Sequence, residues 1–409
     1  MNVLISGAGI GGLALAHWLG RHGIDATVVE RAPALRSGGQ AIDIRGAART
    51  VVDRMGILDA IRAKHTGTHG IMYVDRRGAP VARMAGEDFG DSGGVVAEIE
   101  ILRGDLVRIL HEAAPAATYL FDDHITALRD GPDGVTATFN HASPRTFDVV
   151  VGADGLRSGV RRLAFGGDRQ TVRDLGMYTS FFAAHTSLDL DGWEMMYNLP
   201  AGNGVGGRVL LLYPVGRTGE VRAMFSWFSP ALGHDRRDTT AQKALVADVF
   251  AGAGWEIPHL IEQMWPADDF YFTRSGATNL DRWSHGRITL LGDAAFAGSL
   301  GMGTSMALVG AYTLAGELAS TPDPVAAFSR YEAGMRDYVT RNLKRPPGGD
   351  RGFAPGSRAG IWFRNQVIRT MTKLPGKSAM TGNLQAAANA ITLKDYPTTR
   401  DPLAIPNPR

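Results

Sequence analysis

Gly7, Gly9 and Gly12 stand at the spacing G-x-G-x-x-G, directly after the apolar run 2–6 (NVLIS). Glycines in that pattern suit a dinucleotide. The first allows a tight turn, the second lets the backbone approach a pyrophosphate, and the third lets a helix pack closely on a strand. Residues 13–20 read as that helix, whose free N-terminal amides and positive dipole end attract phosphate. A second strand, 26–29, leads to Glu30, about 20 residues beyond the glycines, where a carboxylate accepts hydrogen bonds from ribose hydroxyls.

Two distant segments read as parts of the same site. Residues 147–151 (FDVVV) form a buried strand, followed by Gly152-Ala153-Asp154-Gly155 and then Ser158 and Arg161. Residues 287–291 (RITLL) form another, ending at Gly292-Asp293-Ala294-Ala295; Gly301-Met302-Gly303-Thr304-Ser305 then opens a long helix over 306–318. A nicotinamide dehydrogenase needs only the first segment. A chain that returns near residue 293 to finish the same cofactor binds a longer one, FAD.

In this order and at this spacing, the three motifs resemble the class A flavoprotein monooxygenases. This aromatic-hydroxylase family includes the tetracycline-inactivating monooxygenases, and the likeness spans nearly the whole chain. It implies an α/β fold with three parts. A Rossmann-like, GR2-type FAD-binding domain takes residues 1–175 and 282–345, a mostly antiparallel β-sheet substrate domain takes 176–281, and a connector with C-terminal helices takes 346–409.

The resemblance also implies roles for individual residues. Glu30 would hold the adenosine ribose, with Arg31 near the adenine and phosphates. Arg103, in EILRGDLVRIL, would contact the flavin side. Asp154 would brace the pyrophosphate region and contribute to pyridine-nucleotide binding. Asp293, after Gly292, would bond ribityl or pyrophosphate oxygens. Amides of Gly301, Met302, Gly303 and Thr304 would face the N1–C2=O edge of the isoalloxazine, the positive helix end stabilising reduced flavin by roughly 0.3–2 kcal/mol. In GGQAIDIRGAA (38–48), Asp43 and Arg45 would approach the ring and the route of a mobile nicotinamide; the alternative is an exposed salt bridge.

The implied activity uses NADPH or NADH as a transient co-substrate and O2, through a C4a-hydroperoxyflavin, to hydroxylate an aromatic or polyketide-like small molecule. The protein's part is a dry pocket and a positioned substrate. Catalytic candidates are confined to Asp43, Arg45 and His185, and no metal is implied. The loop 296–301 departs from the family in lacking proline and in being shorter. Either it is adapted to its substrate, or the scaffold serves a non-redox cyclase or isomerase of a natural-product pathway. A halogenase reading fails because W-x-W-x-I-P is absent, Trp255-Glu-Ile-Pro being only a fragment. A ligand-sequestering protein that has lost FAD is a further alternative.

These groups need supporting elements. Short apolar strands between 177 and 281 (SFFAAHT, EMMYNL, GRVLLLYPV, VRAMFSWFS, DFYFTRS) read as the roof of a substrate cavity. Candidate lining residues are Met195, Tyr213, Met224, Trp227 and Phe272, facing Phe296 and Met302; alternation sends about half of such side chains to the other face. Helices are expected over 241–252, 358–374 and 382–391, a Pro/Gly-rich connector over 345–356, and a frayed, proline-rich end.

With 409 residues, 44% hydrophobic and 21% charged, the composition is that of a globular protein, and a net charge of +2 names no polyanionic partner. The absence of cysteine excludes disulfides, thiolate metal sites and a cysteine nucleophile. No run approaches a membrane span and the chain begins directly in a strand, so the expectation is a soluble, cytoplasmic monomer or homodimer acting on a small molecule, without nucleic acid.

Overall fold

The computed structural model describes residues 1–35, 38–86, 99–215, 219–233, 238–299, 301–344, 349–373 and 385–398. A six-stranded sheet organises the cofactor side, in the order Ser284–His285, Ile288–Leu290, Val149–Gly152, Asn2–Ser6, Asp25–Val29, Thr118–Leu120. All neighbours are parallel except the first pair. Val3, Leu4 and Ile5 and Val149, Val150 and Val151 are fully buried, as strands covered on both faces require. The helix Ile10–Arg21 packs against Gly303–Ala319, which is itself buried along nearly its whole length. The long helix Pro324–Leu343 starts from an Asp323 cap with proline in its first turn.

A seven-stranded sheet forms the second layer, in the order Tyr271–Thr278, Val172–His185, Glu220–Phe228, Arg208–Pro214, Trp193–Leu199, Gly70–Val74, Pro80–Ala85. Only the pairing of Trp193–Leu199 with Gly70–Val74 is parallel. The sheet therefore recruits residues 70–85 from the stretch expected to belong wholly to the cofactor domain. One face is covered by the helices Thr239–Val249 and Ile257–Met264, over a core including Phe182, Phe225, Trp227 and Phe250. The opposite face carries Tyr73, Phe181, Met196, Leu211, Tyr213 and Met224 and meets Ala41 and, from the helix Arg358–Met371, Ile368.

The strands expected over 176–281 are present, and the helices expected over 241–252 and 358–374 appear as Thr239–Val249 and Arg358–Met371. Of the expected connector, 345–348 lies outside the described residues, as do 382–384 of the second C-terminal helix; residues 385–388 are helical. The tail corrects the expectation of fraying as far as residue 398. Glu317, buried on Gly303–Ala319, accepts hydrogen bonds from Lys394 Nζ (2.6 Å) and Tyr396 Oη (2.8 Å). The Tyr396 ring fits over Gly316, where any Cβ would strike it. Residues 399–409 lie outside the described residues. No described helix is long and apolar enough to cross a membrane.

Candidate active site and cofactor cleft

The three sequence motifs meet in one groove at the carboxyl ends of the parallel strands. Gly7 turns with φ +107°, and a Cβ there would lie 2.7 Å from the Ala153 carbonyl, so the glycine turn and the Asp154 turn are in contact. A Cβ on Gly12 would overlap the Gly7 carbonyl oxygen, so glycine is the only residue that fits. Gly9 is different: its nearest neighbour is the Arg103 guanidinium at 3.9 Å from a Cβ position, leaving the backbone open to a ligand. Gly11 packs on Leu291 and Ala307, which brings the third motif to the first. Glu30 receives the Ala8 and Ala32 amides, both at 2.9 Å, which fixes its carboxylate at the mouth of the turn. Arg31 beside it is exposed.

Arg103 opens the helix Arg103–Glu112 and lies along Gly39. Its charge acts on Asp293, whose carboxyl is nevertheless raised above the usual range, chiefly by the surrounding protein. That carboxylate is still open to solvent, so it faces a cleft rather than the outer surface. Gly303 approaches it at 3.6 Å from a Cβ position. The first backbone bond of Gly303–Ala319 is from Met306 N–H to the Met302 carbonyl (2.9 Å), so the Gly303, Thr304 and Ser305 amides precede the ladder.

Asp43 and Arg45 form an ion pair at 2.7 Å, but a buried one rather than the exposed alternative, with side-chain exposures of 14% and 7%. The Arg45 amide donates to Ser305 Oγ (3.0 Å), and a Cβ on Gly301 would lie 3.7 Å from Asp43 Oδ2. The pair is thereby seated at the start of the long helix. Arg161, missed as a site residue, clamps two motifs together: fully buried, it donates to the Ala294 carbonyl (3.0 Å), Thr171 Oγ1 (3.1 Å) and Asp168 Oδ1 (3.1 Å).

Across from this groove the sheet presents lateral rows fixed by register. One row runs Phe181, Met224, Leu211, Met196, Tyr73. The next contains Arg222 and Tyr213, and Glu194 comes up on the same side, its charge acting on Tyr213. Arg222 is ion-paired with Asp269 beside Gly38. Tyr213 Oη donates to Met224 Sδ at 3.4 Å.

A family model described as "FAD binding domain" matches residues 1–342. The chain belongs to that family. An uncharacterized protein of Mycobacterium tuberculosis is 43% identical over 350 residues, covering 83% of this chain and 91% of that protein. A flavin-dependent monooxygenase of Legionella longbeachae is 34% identical over 399 residues, covering 97% and 98%. The crystal structure of the tetracycline destructase Tet(55) matches with a TM-score of 0.79 at 33% identity, covering 96% and 98%. The chain is thus a class A flavoprotein-monooxygenase relative with FAD as its cofactor.

The groove suits FAD on its own geometry. The steric demands at Gly7 and Gly12 leave backbone bare where a pyrophosphate would lie. Asp154 uses Oδ2 for the Gly159 amide (2.7 Å), the Val160 amide (3.3 Å) and Ser6 Oγ (3.2 Å), while Oδ1 is buried with no partner. Asp154 thus braces its own turn, and the remaining oxygen could serve a ligand hydroxyl or a water.

The substrate-side expectations divide by strand parity. Tyr213 and Met224 face the groove. Met195, Trp227 and Phe272 do not: they belong to the core under the two helices, with Trp227 stacked on Tyr178 at 5.5 Å between centroids. Phe296 is also corrected, being buried in the cofactor domain against Trp283 at 5.0 Å. Met302 is buried as the N-cap of the long helix. The loop 296–301 is pinned by Thr278 N–H to the Ala297 carbonyl (3.1 Å) and by Ser299 Oγ to the Asn342 carbonyl (3.0 Å); Leu300 lies outside the described residues. His185 is exposed, its backbone held by Gln263, and among the described residues no hydrogen bond or ion pair joins it to the other candidates.

Sequence reasoning missed the carboxyl pair Glu100 and Glu194. Glu100 accepts from Thr66 Oγ1 (2.6 Å) and Thr68 Oγ1 (2.7 Å) and sits opposite Asp43 in strand register. Burial pushes the Glu194 carboxyl well above the usual range, and the negative charges of Glu100 and Asp43 push it further. Burial likewise raises the Glu100 carboxyl, and the negative charge of Asp43 adds to it. A carboxylate inside the apolar strand WEMMYNL was the available signal.

Proposed function

We propose that the protein is an FAD-dependent monooxygenase that uses NADPH or NADH and O2 to oxygenate a largely apolar, aromatic or polyketide-like small molecule, tetracycline-type ring systems included. The observation carrying this reading is the row Phe181–Met224–Leu211–Met196 with Tyr213, set across the groove from the start of the helix Gly303–Ala319. Nearly full-length likeness to flavin-dependent monooxygenases and to tetracycline destructases supports it.

In this reading Glu30 holds the adenosine ribose and the glycine turn holds the pyrophosphate. Arg103 and Asp293 orient the ribityl chain and the ring. FAD, when bound, supplies the activation of O2. The chain supplies exclusion of water, a fixed substrate pose and the positive end of Gly303–Ala319 aimed at the ring edge that gains charge. Asp43, neutralised by Arg45, flanks that edge without adding a net charge. The spacing G-x-G-x-x-G recurs once, at Gly202, Gly204 and Gly207, but there it joins the strands Trp193–Leu199 and Arg208–Pro214 and opens no helix, so it offers no second dinucleotide cradle, which fits a nicotinamide cofactor that docks transiently.

The test is a flavin spectrum of purified protein, followed by NADPH or NADH oxidation and O2 uptake over a panel of tetracyclines and polycyclic phenols. Stoichiometric reductant, O2 and substrate consumption is expected for one class. Turnover without O2 or reductant would replace this reading with a cyclase or isomerase. Reductant consumption that yields only H2O2 across the panel would reject the substrate class.

A further inference from the structure

The helix Arg358–Met371 buries only one side, through Asn365 and Ile368, against the seven-stranded sheet. Its outer side leaves Trp362 63% and Phe363 64% exposed, with Val367 next to them at 37%. Arg358 and Arg369 are exposed on the flank between Trp362 and the buried Asn365, and Lys373 is exposed in the turn just after the helix. At 100° per residue Arg358 and Arg369 lie within about 40° of Trp362 on one side, while Phe363 and Val367 line the strip on its other side. From Arg351 to Lys394 the chain has seven Lys and Arg and no Asp or Glu. Because the whole chain is only +2, everything outside this stretch is net negative. Charge is thus segregated along the sequence, and the exposed aromatic pair lies inside the positive stretch, with Arg358, Arg369 and Lys373 exposed near it.

We propose that this helix face docks on an anionic lipid bilayer, with the helix lying in the headgroup plane and the protein held peripherally. The chemistry matches such a surface. Aromatic side chains settle at the boundary between headgroups and acyl chains, while long cationic side chains reach phosphate from the flank. Charge argues against a second copy as the occupant, since a symmetric dimer through this face would set two acid-free cationic stretches against each other. It argues against the segment 374–384 as well, because its one charged residue is Lys377. This inference is independent of the substrate proposed above.

The experiment uses the full-length flavin-loaded protein and two sets of sedimenting vesicles, phosphatidylcholine alone and phosphatidylcholine with phosphatidylglycerol at three to one. Binding is expected only to the second set and should weaken as salt rises. Each neutralised cation should weaken it about fivefold, so Arg358→Gln/Arg369→Gln/Lys373→Gln should bind about a hundredfold less tightly. Trp362→Ala/Phe363→Ala should also lose binding. All these side chains are exposed, so flavin content and melting temperature should stay at wild-type values, which separates lost docking from misfolding. Equal binding to both vesicle sets, no binding to either, or variants that bind like the wild type would overturn the proposal. So would a dimer in sedimentation velocity that Trp362→Ala/Phe363→Ala disperses, because the face would then belong to a second copy.

Discussion

The glycine turn and the seven-stranded sheet face each other across one groove, yet their side chains are constrained in opposite ways. In the turn, positions are set by what cannot be present: a Cβ at Gly7 or Gly12 has nowhere to go. In the sheet, positions are set by parity. Met224 and Trp227 are three residues apart on one strand, and one faces the groove while the other is sealed under a helix. A steric veto is local and absolute. Parity is decided by register along a whole strand, and a slip of one residue would exchange the two faces.

The largest expected effect tests the veto. Gly12→Val should yield little folded, flavin-loaded protein, since the cradle helix would have to leave its strand; yield and the 450 nm absorbance check it. Gly9→Asp sharpens the point. Gly9 has φ −86° and open space, so the variant should fold. Its carboxylate would meet Arg103 and occupy the place of the phosphates, so flavin should be lost while the circular dichroism of the fold remains. A Gly9→Asp protein with full flavin content would disprove the placement of the cradle.

The next effect tests parity. Trp227→Ala removes a fully buried indole and should cost about 3–5 kcal/mol in denaturant unfolding, with KM little changed in the surviving folded fraction. Met224→Ala should do the reverse, changing KM or coupling for an aromatic substrate by roughly tenfold, the scale of a lost methylene contact or two. If Trp227→Ala alters KM and Met224→Ala does not, the two faces have been assigned the wrong way round.

The same contrast explains what could be read from the amino acids. Gly7, Gly12 and Glu30 could be singled out because each stands in a spacing that one ligand geometry demands, and Arg103 and Asp293 through the resemblance; the structure gathers all five around one turn. Met195 and Trp227 were misplaced because apolar runs such as EMMYNL offer residues to both faces, and nothing in composition marks which is inward. In the long strand Val172–His185 a register shift between Asp174 and Tyr178 further breaks simple counting. Phe296 failed for a different reason: its neighbour Trp283 is a tertiary contact across a loop. The ordered tail, too, depends on Tyr396 meeting Gly316 and Glu317, which no short spacing announces.

The two regions should also respond oppositely to pH. His17, on the cradle helix, bonds the Ala113 carbonyl at 2.6 Å, and burial lowers its pKa to about 4. A depressed basic group makes the unfolded chain the better proton acceptor, so stability should fall between pH 6.5 and about 4, by about 3 kcal/mol in all. Glu194 is an acid raised by burial, so the folded state holds its proton longer than the unfolded one. Its contribution declines as pH rises above the ordinary glutamate value. His17→Gln should flatten the acidic limb of a stability–pH curve, and Glu194→Gln the neutral-to-alkaline limb, with a melting temperature a few degrees above wild type at pH 8. A Glu194→Gln protein whose alkaline limb is unchanged would mean that the carboxyl pair is solvated.

The smallest effect is expected where neither constraint acts. His185 ends its strand, exposed, with its amide donating to Gln263 Oε1 (2.7 Å) and its carbonyl accepting from Gln263 Nε2 (2.8 Å). Those bonds involve only the backbone, so they survive replacement of the side chain. His185→Ala should change stability by less than about 0.5 kcal/mol and leave kcat, KM and their pH profile unchanged. Gln263→Ala, by contrast, leaves both backbone groups to water and unties the strand end from the helix Ile257–Met264, so it should be the more damaging of the two in thermal unfolding. A His185→Ala enzyme with a lost inflection in its kcat–pH profile would return this residue to the reaction and require the strand end to reach the groove.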